Sequence, residues 1–130
     1  MITLPENMDK ECVRLCNAMN SLPGIETFES CCGHSKEEYH IWFIVTDYNK
    51  RGLLALSRFL SFNYHAFGLP SNENPQSYWK IILDHMDISP QICFRLEGPI
   101  GDFEGADELA KLIEDHVADV IPYYNILLDK

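Results

Sequence analysis

The segment Tyr39 to Thr46 constrains the fold more than any other. Ile41, Phe43 and Val45 alternate on one face, and Trp42 and Ile44 fall on the other. A strand that is apolar on both faces belongs inside a sheet covered on both sides, or has one face at an interface. It therefore needs strands beside it and helices across it. The pattern on either side supplies them.

Met8, Cys12, Leu15, Cys16 and Met19 recur at helical spacing, so a helix is expected over Glu6 to Ser21, ended by Pro23-Gly24. Ile25 to Ser30 reads as a short strand. Arg51 to Phe62 reads as a helix that turns Leu53, Leu56, Phe59 and Leu60 inward. Gly68 to Gln76, rich in Pro, Gly and Asn, reads as a long loop. Tyr78 to Asp84 and Gln91 to Leu96 read as two further strands, with Met86 to Pro90 closing them as a hairpin. Ala106, Leu109, Ala110, Ile113, Val117 and Val120 form the apolar stripe of a last helix. Asp102 is its expected N-cap, Glu104 suits the positive end of its dipole, and Pro122 is expected to end it. The apolar tail Tyr123 to Leu128 then needs somewhere to pack.

The order is αββαββα. The expected fold is of the α/β (α+β) class, a four-stranded, largely antiparallel sheet with three helices, in a single domain spanning 1–130. A chain of 130 residues is long enough for its own core. Its 46% hydrophobic and 23% charged residues mark it as globular.

Charge narrows the partners. With 20 acidic and 10 basic residues the net charge is -10. Such a surface repels phosphate backbones and anionic membranes at long range. The basic residues are scattered, with only Lys50-Arg51 adjacent, so nucleic acid is not an expected partner. Residues Met1 to Lys10 hold Pro5, Glu6 and Asp9 and no apolar h-region, which is unlike a signal peptide. No apolar run approaches the roughly 20 residues of a membrane span. A cytoplasmic protein with no membrane association is expected. Five cysteines, an odd number, then suggest thiols or metal ligands rather than a disulfide framework.

The chemistry concentrates at Ser30-Cys31-Cys32-Gly33-His34, the mouth of the hairpin between the first two strands. Several readings compete there. Thiolate and imidazole are good zinc ligands, which makes Cys31, Cys32 and His34 a metal-site candidate. Neighbouring residues of an extended chain point to opposite sides, however, so both thiols can share an ion only if the backbone turns between them. A further ligand must come from elsewhere, with His40, Cys12, Cys16, His65 and His85 as candidates. In a second reading His34 activates Cys32 as a nucleophile. Glu29, Glu37 and Glu38 oppose this by favouring the neutral thiol. A third reading is a ligand-binding turn. There Ser30, the Gly33 backbone and His34 supply donors, and Gly33 gives a positive φ or a close backbone approach. A fourth treats the cysteines as packing residues and His34 as solvated.

Elsewhere the plain readings stand. Cys12 and Cys16 lie on the apolar stripe of the first helix, and Cys93 lies between Ile92 and Phe94, all as core residues. His40 reads as a partly exposed strand residue, and His65 and His85 are similar cases. Arg95 and Glu97 alternate on one strand face and could pair with each other, or Arg95 could anchor an anionic group. The run Glu97 to Asp102 leads into a helix N-terminus but lacks the glycine pattern and lysine of a P-loop.

The segment Leu22-Pro23-Gly24-Ile25-Glu26-Thr27-Phe28-Glu29-Ser30-Cys31-Cys32-Gly33-His34 precedes Trp42-Phe43 and, later, Phe94-Arg95-Leu96-Glu97-Gly98. Together these resemble a group of small bacterial and phage proteins with a Ser-Cys-Cys-Gly-His signature. That resemblance covers most of the chain and implies no particular activity. More locally, the turn is similar to that of the third-step wybutosine-synthesis methyltransferase family, which has Ser-Cys-Ser-Gly-Arg after a similar helix and strand. This implies a comparable site at Ser30, Cys31 and Gly33, with S-adenosylmethionine and a tRNA base as ligands. Cys32 stands where that family has Ser, and His34 where it has Arg.

The expected function is binding of a small ligand or protein partner through Ser30, Cys31, Cys32, Gly33 and His34, with Arg95 as an anion anchor. The alternatives are a transferase-like enzyme, a zinc-binding protein, and a homo-oligomer joined through the second strand and the Tyr123 to Leu128 tail.

Overall fold

A computed structural model describes residues 9–47, 49–62, 79–85 and 92–128. The elements are α1 (Lys10–Asn20), β1 (Ile25–Cys31), a single 3-10 turn (Gly33–Ser35), β2 (Tyr39–Val45), α2 (Arg51–Phe62), β3 (Lys80–His85), β4 (Ile92–Gly98) and α3 (Phe103–Leu128). The expected loop Gly68 to Gln76 and hairpin closure Met86 to Pro90 lie outside the described residues.

The strands form one antiparallel sheet in the order β1-β2-β4-β3. The strand with two apolar faces, β2, is internal to the sheet as expected, but only its Ile41 and Phe43 face is buried under the helices, while Trp42 and Ile44 are half-exposed on the other. Tyr39, Ile41 and Phe43 are fully buried, and they join Ile25 and Leu96 in one core with the inner faces of all three helices. Cys12, Leu15, Cys16 and Met19 come from α1, Leu56 and Phe59 from α2, and Ala106, Leu109, Ala110 and Ile113 from α3. Truncating a side chain such as Phe43 to Ala costs about 3–5 kcal/mol in comparable cores. The other sheet face carries His40, Trp42, Ile44, Arg95, Glu97, Lys80, Ile82 and Asp84, all of intermediate exposure. Among the described residues no helix is long and apolar enough to cross a membrane.

A bulge sets the face of the residues that lead to the turn. Thr27 pairs with Phe43, but Glu29 pairs with Trp42, so Phe28 is the extra residue of β1. After it, Ser30 lies opposite Ile41 on the core face and Cys31 lies opposite His40 on the outer one. Simple alternation from Ile25 would give the reverse.

The start of α3 follows the expectation. Asp102 Oδ1 accepts the Gly105 amide at 3.0 Å, while Oδ2 accepts the Trp79 indole N–H at 2.8 Å. The end does not. Proline cannot donate to the carbonyl four residues back, yet α3 runs through Pro122 to Leu128. Pro122 is exposed, and packing beyond it holds the last turns. Asn125 accepts a hydrogen bond from Arg51, Arg58 lies over the Tyr123 ring, and Tyr124 packs on the core. Tertiary contact with α2 outweighs the local break; of the apolar tail, Tyr124 packs on the core while Tyr123 and Ile126 stay exposed.

Candidate functional site

The β1–β2 turn is tight because two successive residues take left-handed backbone conformations, Gly33 (φ 76°) and His34 (φ 50°, ψ 36°). Gly33 also needs its missing side chain, since a Cβ there would lie 2.8 Å from the Glu38 carbonyl oxygen. Its carbonyl accepts the amides of Lys36 and Glu37 at 2.9 and 3.1 Å. A left-handed histidine is uncommon, and such positions concentrate at functional sites.

The turn separates the two thiols. Cys31, the last residue of β1, lies on the outer face opposite His40, and its sulfur accepts the Gly33 amide at 3.4 Å. Cys32 is buried in the core. Its Sγ lies 3.7 Å from His34 Nδ1, and its amide donates to Asp9 Oδ2 at 3.2 Å. The same Asp9 oxygen lies 3.6 Å from His34 Nε2. Asp9, Cys32 and His34 thus each bring a metal-ligating atom within 4.8 Å of the others. Cys31 is not in this set.

Asp9 is the residue that sequence reasoning missed. The expected helix began at Glu6, which buried Asp9 in its first turn. In the structure α1 begins at Lys10 and Asp9 is its N-cap, with its carbonyl accepting the Cys12 amide at 2.9 Å. Its carboxylate makes no cap bond and reaches across to the turn instead. An acidic residue just before an apolar helical stripe was the available signal.

The electrostatics oppose a free thiolate. Burial pushes the Cys32 thiol up from its ordinary value, and the negative charges of Asp9 and Glu11 add to this; a hydrogen bond from the His34 backbone works the other way. Burial also pushes the Cys12 thiol up to about 12 and the Cys16 thiol up to about 11. Ser30 lies on the core face opposite Ile41, on the side of these two thiols rather than the outer one, and its hydroxyl works against both rises. Nearby, the Tyr39 hydroxyl donates to the Glu11 carbonyl and ties β2 to the start of α1.

Arg95 lies apart from the turn, cross-strand from Trp42 on the outer face. Its Nη1 is 3.5 Å from Asp84, and its Nε is buried, so the guanidinium is not held out toward the hairpin mouth. Glu97 pairs with His40 at 3.3 Å and with Lys80 at 3.7 Å rather than with Arg95. Glu38, His40 and Glu97 form a second set of ligating atoms within 4.8 Å.

Comparison of the chain with family models, with curated proteins and with solved structures finds no match.

Proposed function

We propose that the chain binds a small ligand at the β1–β2 turn, and that this ligand is a divalent transition-metal ion of the zinc class. Asp9, Cys32 and His34 are its ligands. The observation that carries this reading is that Asp9, from the start of α1, converges with Cys32 and His34. A carboxylate oxygen, a thiolate and an imidazole suit a borderline ion such as zinc. Three protein ligands leave a fourth position for water or another small donor. His34 has 68% of its side chain exposed, which gives the ion a path in.

The chemistry of the turn supports a metal over an organic ligand. Two donors an organic ligand would use are already engaged, the Cys32 amide on Asp9 and the Gly33 amide on Cys31, and Ser30 lies on the core face of β1. Metal binding replaces the thiol proton of Cys32 with the ion and releases that proton to solvent. The ion thereby supplies the positive charge that favours a thiolate in a buried, acid-flanked position.

The test is zinc content after dialysis of untagged protein against a zinc-buffered solution. The reading expects one zinc per chain, with affinity at least tenfold lower in Asp9→Asn and His34→Ala. Zinc retention that is unchanged in both variants would place the ion elsewhere and end the proposal.

A further inference from the structure

The packing of α2 against α3 leaves a cleft of about 190 Å³, lined by Arg58, Phe59, Leu112, His116 and Val120. Phe59 belongs to the buried core, and Leu112 and Val120 pack partly against it. Arg58 and His116 are exposed, so the cleft has an apolar body and a basic rim. The rim is out of character for a chain of net charge -10.

The four arginines make the contrast plain. Arg14 faces Glu114 at 2.7 Å, Arg51 faces Asp47 at 2.8 Å, and Arg95 faces Asp84 at 3.5 Å. Among the described residues, Arg58 alone of the four has no carboxylate partner. It lies instead with its guanidinium carbon 5.8 Å from the centre of the Tyr123 ring. A cation–π contact supplies no hydrogen-bond acceptor to the guanidinium N–H groups. Tyr123 therefore attracts the Arg58 charge without satisfying those donors.

We propose that this cleft binds a small carboxylate with an aromatic or short alkyl body. The carboxylate pairs with the in-plane donors of Arg58, with His116 as a second donor, and the body lies on Phe59, Leu112 and Val120. Charge complementarity selects the anion, because a neutral apolar guest would cover the Arg58 donors without replacing their water. Asp115, next to His116 in the chain, offsets part of the imidazole's attraction, so Arg58 is the principal anchor. Volume selects the size. An apolar cavity of about 150 Å³ takes benzene, whereas drug-sized ligands occupy roughly 300–1,000 Å³. The cleft falls between them and fits a single ring bearing a carboxylate.

The experiment is amide-resolved NMR titration of the full chain with benzoate, with benzyl alcohol as the uncharged counterpart and acetate as the anion without a body. Saturable shifts are expected at residues 58–59 and 112–120 with benzoate, and binding at least tenfold weaker with each of the other two. Arg58→Gln, at an exposed position, is expected to weaken benzoate about tenfold, and Arg58→Lys to recover part of the loss. Equal binding of benzyl alcohol, benzoate shifts centred elsewhere, no shifts, or unchanged affinity in Arg58→Gln would each overturn the assignment.

Discussion

Two sets of metal-ligating side chains flank the same hairpin, and they differ in what balances their charge. Glu38, His40 and Glu97 lie on the outer sheet face, where Lys80 Nζ stands 3.7 Å from Glu97 and His40 stands 3.3 Å from it. Asp9, Cys32 and His34 lie where α1 meets the turn, and among the described residues no lysine or arginine pairs with Asp9. The outer set already contains its cation. The turn set holds a carboxylate and a buried thiol with only an imidazole between them. Ligating atoms within reach are common; what distinguishes the turn is its thiol, a ligand that the outer set lacks and whose negative charge a bound ion would balance as it replaces the proton.

Substitution at the thiols should split the two sets most widely. Cys32→Ala is expected to lower zinc affinity by two orders of magnitude or more, and His40→Ala to change it less than threefold, both read by competition with a metal-binding dye. Comparable losses in the two variants would erase the contrast. Next in size is Gly33→Ala, which forces a Cβ onto the Glu38 carbonyl at a φ of 76°. It should destabilise the fold by about 1–3 kcal/mol in urea titration. A wild-type midpoint would show that the turn relaxes freely.

The effect of pH is smaller and separates metal binding from folding. Because the Cys32 thiol is raised and must lose a proton to bind, zinc affinity should climb about tenfold per pH unit from pH 7 to 8. A flat profile would remove the thiolate from the site. For the core thiols the sign is opposite. Their raised values mean that the neutral form is favoured by folding, so their contribution is intact below about pH 9 and is lost as pH rises toward about 11–12. Urea midpoints of metal-free protein should therefore fall above pH 9, and Cys12→Ala should flatten that fall. The smallest effect belongs to Cys31→Ser, which should leave zinc affinity within threefold of wild type.

The contrast between the thiols also shows what was legible in the sequence. The central place of β2 followed from Ile41, Phe43 and Val45 alternating with Trp42 and Ile44, and α2 ran over Arg51 to Phe62 as expected, because burial imposes a period that the residues display. The Asp102 cap and the role of Gly33 were readable because a side-chain oxygen or a missing Cβ is a local requirement. Three features were not readable, and each depends on a distant partner. The bulge at Phe28 exists because β1 must match β2, and it reverses the faces of Ser30 and Cys31. The continuation of α3 through Pro122 depends on Arg51, Arg58 and the core. Asp9 lies 23 positions from Cys32, and only the start of α1 at Lys10 brings it to the turn.

The most direct test is titration of metal-free protein with cobalt(II), following the thiolate-to-metal absorption band in wild type, Cys31→Ala and Cys32→Ala. Saturation at one equivalent is expected in wild type and Cys31→Ala, and no band in Cys32→Ala. A band that survives in Cys32→Ala and is lost in Cys31→Ala would put the ion on the outer face of the sheet and contradict the assignment of the turn.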